Sequence, residues 1–444
     1  MKRKFLQWKY LFVFIVTAIF CILAMLYVWH LNDIEQKKQL IRQYNGEINW
    51  NSGRGTTEFV GYENGRGWEI GFPPSWVANI KHLTGNEEHL FSVITKGLKP
   101  TAYLSFHTID NLSRKDLSNF YRIPGLKTLS LYQIKDVSAE YDPHASYYDS
   151  TVSALHVACD QFTDSDLVEI AKNKKIMNLW ISGGNYSQMS SEKLSFLSRL
   201  KFLRFHDMTF DNFKFGSQKM EQVIQFELHN CKFNPNVLEF LEQIHEQMPN
   251  LSSLGISNIN LTPSDLIQVG KIEKIFTLSL ANCNLTSVDS LFFEGVNLGR
   301  VFITGDETQQ VQCDKLFLAK GLREVQLHYC KLTQETCFAD QLNGLEKLAI
   351  RNSDLSPEFF EVFSRMPNLK WLEIRDCQLK QQNLEKIGLL NNLESLDFFS
   401  CGLESVDILP FEKWGNLKYL NLRNNPIQNL DELKKRLPKL ILDT

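Results

Sequence analysis

His206 and His229 occupy matching local contexts, Leu-Arg-Phe-His and Phe-Glu-Leu-His, with Asp207 and Glu227 beside them. On neighbouring strands their Cα atoms would stand about 5 Å apart, and two imidazoles with a carboxylate are zinc-type ligands. The opposing reading is a polar solvated face on which His107, His156 and His328 also recur, and it carries more weight because ligand types without geometry are common. Five cysteines, Cys231, Cys283, Cys330, Cys377 and Cys401, also share one context. A thiol acts as nucleophile or ligand only when its surroundings favour the thiolate, and apolar burial does the opposite. No CxxC pair, HExxH, P-loop or spaced GxGxxG occurs, and the ten histidines form no visible nucleophile, base and orienter set. Recognition is the other chemistry on offer. Arg351, Trp371, Glu373, Arg375, Asp397, Phe399, Tyr419 and Arg423 bring aromatic and guanidinium groups together, the types that dominate binding hot spots.

What positions all of these is a repeat. The pattern L-x-x-L-x-L-x-x-(N/C)-x-L is clearest at Leu369–Leu379 and Leu417–Ile427, and its first apolar position recurs at Leu126, Val152, Ile176, Leu200, Val223, Leu251, Ile275, Leu298, Leu322, Leu345, Leu369, Leu393 and Leu417. A weaker copy starts at Thr101, with Leu104 and Phe106. This is the leucine-rich repeat signature. Positions 4 and 6 alternate inward on a short strand while 3, 5 and 7 face out, and strands of successive coils pair in parallel about 4.8 Å apart. At position 9 the chain turns, and an inward Asn or Cys satisfies backbone groups that burial would leave unpaired. The five cysteines all fall there, which reads them as core thiols; Cys377 and Cys401 are on consecutive coils and are the pair that could bridge. The histidine and arginine sites fall on the outward positions.

The rest of each coil reads as helix. Thr262-Pro263, Ser356-Pro357 and Asn234-Pro235 each set a capping side chain before a proline at the first helical position, and the long coil from Val223 predicts a helix over Val237–Gln247. The fold class is therefore α/β, a leucine-rich repeat solenoid with parallel strands on the concave face and short helices on the convex face. The coil from Leu298 is poorly patterned, with Asp306 at position 9, and predicts a local irregularity; Met208 is a second departure. The tail Asp431–Leu440 (DELKKRLPKL) predicts a charged capping helix within a cap spanning 428–444.

The N-terminus is of another kind. Tyr10–Trp29 is an uncharged run of 20 residues, enough at about 1.5 Å each to cross a bilayer once as a helix. It is longer than a signal-peptide core and no small-residue cleavage site follows it, which favours an anchor. Lys2, Arg3, Lys4 and Lys9 precede it and place the N-terminus inside. The organisation is then a basic tail at 1–9, a transmembrane anchor at 10–30, a juxtamembrane linker and N-terminal cap at 31–100, and the array at 101–444. Within the cap, Gly46–Gly71 reads as loop or small hairpin and Val77–Leu83 as a helix packed on the first coil.

With 48 Lys+Arg against 51 Asp+Glu and a net charge of −3, nothing draws the chain to nucleic acid. The basic N-terminus, single span, Ile41–Trp50 segment, Pro73-Pro74-Ser75-Trp76 stretch and 24-residue repeats together resemble the membrane-anchored leucine-rich repeat proteins of planctomycete-type bacteria. That resemblance implies topology and class rather than mechanism. The reading that results is a non-enzymatic, membrane-tethered module binding a protein, peptide or surface ligand through its concave face, without cofactor or metal. The named binding residues are Arg351, Trp371, Glu373, Arg375, Phe399, Tyr419 and Arg423. The alternatives are an enzyme or enzyme adaptor with its activity in residues 46–100, a segment short for a catalytic domain, and a passive envelope scaffold.

Overall fold

The computed structural model describes residues 47–51, 77–83, 103–109, 112–113, 126–134, 137–138, 152–158, 173–183, 198–211, 213–215, 219–287, 297–313, 316–317, 319, 321–333, 340–404, 414–428, 431, 435 and 440–444. The chain divides into two compact units, Met1–Phe162 with Glu169–Ile176, and Thr163–Val168 with Met177–Thr444. The apolar run 10–29, most of the linker and most of the tail 428–440 lie outside the described residues. Among the described residues no helix is long and apolar enough to cross a membrane.

In the first unit, Val77–Leu83, Tyr103–Ile109, Thr128–Ile134 and Ala154–Ala158 pair in parallel in that order. The expected helix at Val77–Leu83 is a strand. Its Ala78 and Ile80 stand opposite Leu104 and Phe106, the inner positions of the next copy, so the edge of the repeat sheet captures a seven-residue run that either period could fit. Glu47–Asn51 pairs antiparallel with this strand, a partner well outside the stretch 46–71 in which a small hairpin was expected.

Among the described residues of the second unit, twelve strands of the main sheet, from Asn178–Ser182 to Ile441–Asp443, run parallel, each pairing with the next strand of that sheet. Register is unslipped along the sheet. Leu348, Leu372, Leu396 and Leu420 stand opposite one another, as do Ile350 and Ile374, and all six are buried. These stacked inner positions make the leucine-rich repeat core, and the polar positions 3, 5 and 7 stand on the sheet's open face. Beyond Leu420 the ladder gains Ile441–Asp443, with Leu442 opposite Leu420, so the last described element is a strand. The expected capping helix is described only at Asp431, Lys435 and Leu440.

The helical half follows its capping signals unevenly. Pro263–Gly270 begins as expected, with Thr262 Oγ1 accepting from Asp265 N–H at 3.3 Å and Asp265 Oδ2 accepting from Thr262 N–H at 2.6 Å, a reciprocal box that satisfies two otherwise orphaned donors. Ser356 likewise caps Pro357–Arg365, but that segment winds as a 3-10 helix with Phe359, Phe360, Val362 and Phe363 buried. Leu238–Gln247 is the long helix, yet Asn234 does not cap it. Asn234 ends the strand Lys232–Asn234, held extended by Thr209–Asp211 of the preceding coil, and Asn236 accepts from Glu239 N–H at 3.3 Å instead.

Two further regularities went unread in the sequence. Position 8 is left-handed in nearly every coil of the second unit: Asp207, Asn230, Asn258, Asn282, Tyr329, Asn352, Asp376, Ser400 and Asn424 have φ between 47° and 59°, and Gly183 has φ 79°. Asn, Asp and Gly tolerate that region best, which explains most of these residue types. The residue just before position 1 is also repeatedly Asn. The side-chain amides of Asn250, Asn368, Asn392 and Asn416 donate to the carbonyls of Glu221, Asn343, Pro367 and Asn391, one coil back in each case.

Position 9 behaves as expected. Cys231 lies within sulfur hydrogen-bond reach of Phe205 O and His229 O, Cys283 of Ile256 O and Ala281 O, and Cys401 of Ile374 O and Phe399 O. Asn425 donates to the equivalent carbonyls of Phe398 and Arg423. Burial pushes the thiols of Cys231, Cys283 and Cys377 up to about 11, and that of Cys401 higher still. At neutral pH these are packing groups. The coil from Leu298 is the irregular one: Asp306 is exposed and accepts from Thr308 N–H at 2.7 Å, and Cys313, fully buried, turns inward downstream of it.

Candidate functional site

The strands from Lys347 to Asp443 present their outward residues in three rows. Position 3 carries Lys347, Trp371, Ser395 and Tyr419; position 5 carries Ala349, Glu373, Asp397 and Asn421. Position 7 carries Arg351 and Arg375, then Phe399 and Arg423 at the start of the turns. The repeat places these side chains, since unslipped register stacks like positions on like.

The middle row is buried and acidic. Glu373 is 2% exposed and Asp397 3%, unusual for carboxylates unless they are paired. Glu373 Oε1 takes a close contact from Arg351 Nε, and Arg375 Nε lies 3.2 Å from the same oxygen in an ion-pair contact. Arg375 Nη2 donates to Asp397 Oδ2 at 2.6 Å, and Asn421 Nδ2 donates to that oxygen at 3.0 Å. The hydrogen bond to Asp397 leads the forces that raise Arg375 above the ordinary guanidinium value. The guanidinium also sits 5.9 Å from the Phe399 ring centroid, within cation–π reach. Arg423 is separate; its Nε pairs with Asp443 Oδ1 at 2.9 Å.

The seven named residues are thus brought onto one face but do different things. Glu373 is not available to a partner; it holds Arg351 and Arg375 in place. The Arg351, Arg375 and Arg423 side chains remain 40%, 37% and 58% exposed, and Trp371, Phe399 and Tyr419 are half-buried. Trp371 and Tyr419 do not face each other directly, because Ser395 stands between them in register. Burial, with Asp443 and Asp397 nearby, raises the Tyr419 hydroxyl above its usual value. Asn421 and Asp443 were missed in the sequence: Asn421 is neither aromatic nor charged, and the Asp443 strand lacks the repeat's consensus letters.

The histidine cluster lies further up the same sheet. His206 and His229 stack, ring centroids 4.2 Å apart and 16° from parallel. His206 Nδ1 lies 3.0 Å from Ser182 Oγ and 2.7 Å from Asp207 Oδ2, and His229 Nδ1 contacts Ser257 Oγ. Glu227 is engaged by Arg204 and by Gln225 Nε2 at 2.7 Å, and Arg204 lies over Trp180 at 4.3 Å. Burial, then His206, lowers His229 below the usual imidazole value. The expected proximity is there, with Asp207 paired to His206, but Glu227 is directed to Arg204 and Gln225. Among the described residues no three His, Cys, Asp or Glu are arranged to hold a metal ion.

No protein-family profile and no curated protein matches this chain. Solved structures with a similar fold are leucine-rich repeat proteins. An internalin from Listeria monocytogenes is 15% identical, over 79% of this chain and 88% of that one, with a TM-score of 0.46. A leucine-rich repeat protein of Leptospira interrogans is 16% identical, over 79% and 92%, with a TM-score of 0.42. TLR13, solved with ssRNA13, is 13% identical, over 80% of this chain and 59% of its own, with a TM-score of 0.46. Likeness at this level adds nothing to the repeat register described above, on which the fold stands.

Proposed function

We propose that this chain is a non-enzymatic recognition module, tethered to a membrane by residues 10–29 with residues 31–444 on the non-cytoplasmic side. In this reading it binds a protein or peptide through Arg351, Trp371, Arg375, Phe399, Tyr419 and Arg423. The observation that supports it is the buried pair Glu373 and Asp397. Replacing a buried ion network by apolar residues of similar volume is commonly neutral or stabilising, so the network contributes little that folding requires. What it does supply is two half-exposed guanidiniums held in fixed positions between aromatic side chains, a preorganised surface of the hot-spot type. The anchor rests on the length of the apolar run and its basic flank. A nucleic-acid ligand, as in the TLR13 complex, is not proposed, because Arg351, Arg375 and Arg423 each have a carboxylate partner and the net charge is −3.

The test uses the full chain as bait in membrane extracts, followed by substitution. Trp371→Ala and Arg423→Ala should each weaken a captured partner about fivefold or more, near 1 kcal/mol, with little change in melting temperature. If both leave affinity intact while Trp180→Ala or His206→Ala abolishes it, recognition belongs to the histidine end of the sheet. Protease added to intact spheroplasts should digest residues 31–444, and protection until lysis would reverse the proposed orientation.

A further inference from the structure

Cys313 Sγ and Cys330 Sγ lie 3.3 Å apart, and both side chains are fully buried. The contact arises where the array departs from its repeat. The thiols of Cys231, Cys283 and Cys401 each reach a carbonyl of their own strand and one of the preceding strand, and Cys377 reaches Arg375 O and accepts from Ser353 N–H. Cys330 reaches its own strand's His328 O at 3.6 Å, and its other neighbour is the Cys313 sulfur. The exposed turn that begins at Asp306 is the cause, because the chain re-enters the coil at Val311 and brings Cys313 inward there. Val311 pairs in parallel with Cys330, and Cys313 N–H donates to Lys331 O at 3.2 Å.

In this register Val311 is the residue opposite Cys330, and Cys313 is its diagonal neighbour two residues on. Such neighbours stand about 7–8 Å apart, just beyond the Cα separation of about 4.4–6.8 Å that a disulfide spans, so closure draws Cys313, which follows the last residue of its strand, slightly inward. Bringing the sulfurs to bonding distance takes an approach of about 1.3 Å, since an S–S bond is about 2.05 Å. Consecutive-coil spacing favoured Cys377 and Cys401 as the pair, but the Cys377 thiol reaches Arg375 O at 3.1 Å and the Cys401 thiol reaches Ile374 O at 3.0 Å.

We propose that Cys313 and Cys330 are a disulfide site, oxidised as the chain folds in an oxidising compartment. One thiolate attacks a disulfide RS–SR, either a small molecule or the active site of a thiol–disulfide oxidoreductase, forming a mixed disulfide and releasing RS⁻. The second thiolate attacks the protein sulfur of that mixed disulfide, closing the bridge and releasing the second RS⁻. The two thiol protons pass to the departing thiolates, so the oxidant leaves as two thiols. Closure precedes packing of the coil, because the folded sulfurs are sealed from solvent; the cysteines are 17 residues apart in the chain, a short loop to close. Once buried, the bridge is shielded from reductant. It is independent of what the open face binds.

The experiment refolds the full chain from denaturant, in detergent, in a mixed reduced and oxidised glutathione buffer; free thiols are then blocked and the digest mapped by mass spectrometry. The expected result is a Cys313–Cys330 linked peptide in most molecules, absent from Cys313→Ser and Cys330→Ser and retained in Cys377→Ser. The oxidised protein should also melt a few degrees above the reduced one. Wild-type protein that refolds to the native circular dichroism spectrum with both thiols free overturns the proposal, as does Cys330 linked to a different cysteine. The wild-type map decides the matter even if a serine variant fails to fold.

Discussion

Glu373 offers the sharpest separation between holding a surface and holding a fold. Removing one member of a fully buried ion pair costs about 3–5 kcal/mol, because the survivor is left charged and dry. Here the survivors are Arg351 and Arg375, whose side chains are already 40% and 37% exposed and can rehydrate. The electrostatic loss therefore falls toward the surface-pair range, about 0–1 kcal/mol for each contact. Glu373→Ala also removes methylene packing at a 2%-exposed position, giving a total of about 1–2 kcal/mol on area grounds. Glu373→Leu keeps the volume and removes the cost of burying a carboxylate, so it should fall within about 1 kcal/mol of the native protein. Urea unfolding of the two variants, compared at unchanged slope, gives both numbers. Leu costing more than Ala, or either exceeding about 3 kcal/mol, would show that the ion pairs themselves hold these coils together and would refute the argument. With a partner in hand, Glu373→Leu should weaken binding despite its near-native stability.

Asn258, at φ 54°, should tolerate Gly with little loss, whereas Asn258→Val should cost about 1–2 kcal/mol because a β-branched residue is strained there; equal losses in urea melts would point instead to its side-chain hydrogen bond, in which Asn258 Oδ1 accepts from Asn282 Nδ2 at 3.2 Å. Cys283→Ser should cost less than Cys283→Leu, which overfills a closed turn by about 1–3 kcal/mol, and thermal melts rank the two. His229 titrates below 6.5 in the folded chain because burial disfavours its charged form, so below pH 6.5 the unfolded chain binds more protons. Stability should be fully present above that pH and decline as pH falls beneath it; His229→Gln should flatten the profile of unfolding midpoint against pH, and an unaltered profile would remove His229 from the account.

The repeat was legible because its strongest signal, apolar residues at positions 1, 4 and 6, is also what the core requires, and thus Leu372 and Ile374 could be placed inward from letters alone. Asn234 and Val77 show where that logic fails. Each sits in a short run whose local preference is overruled by a strand in the adjacent coil, and such pairings are invisible in a single window of sequence. The position-8 residues carry a signal of their own, Asn or Asp in most coils, but Asn and Asp are equally common in ordinary turns, so the letters alone do not distinguish a left-handed residue. For the candidate surface, the rows and their members followed from spacing, while the roles did not. Glu373 and Arg375 look equally exposed on a strand diagram, and only the side-chain geometry shows one buried beneath the other. The Cys313–Cys330 contact was out of reach because it depends on an irregular coil that has no pattern to extend.

The asparagines that precede position 1 bear on how such a chain can change length. Asn392 Nδ2 donates to Pro367 O and Asn416 Nδ2 to Asn391 O, and in each case the acceptor is a main-chain carbonyl, indifferent to the side chain attached to it. Excising residues 369–392 would join Asn368 to Leu393, restore the Pro-Asn-Leu junction, and leave Asn416 facing Pro367 O in the geometry it has now. The fastening between coils is thus interchangeable, and whole units can be gained or lost by recombination without redesigning the joints. The outward rows have no such freedom, because that same excision removes Trp371, Glu373 and Arg375.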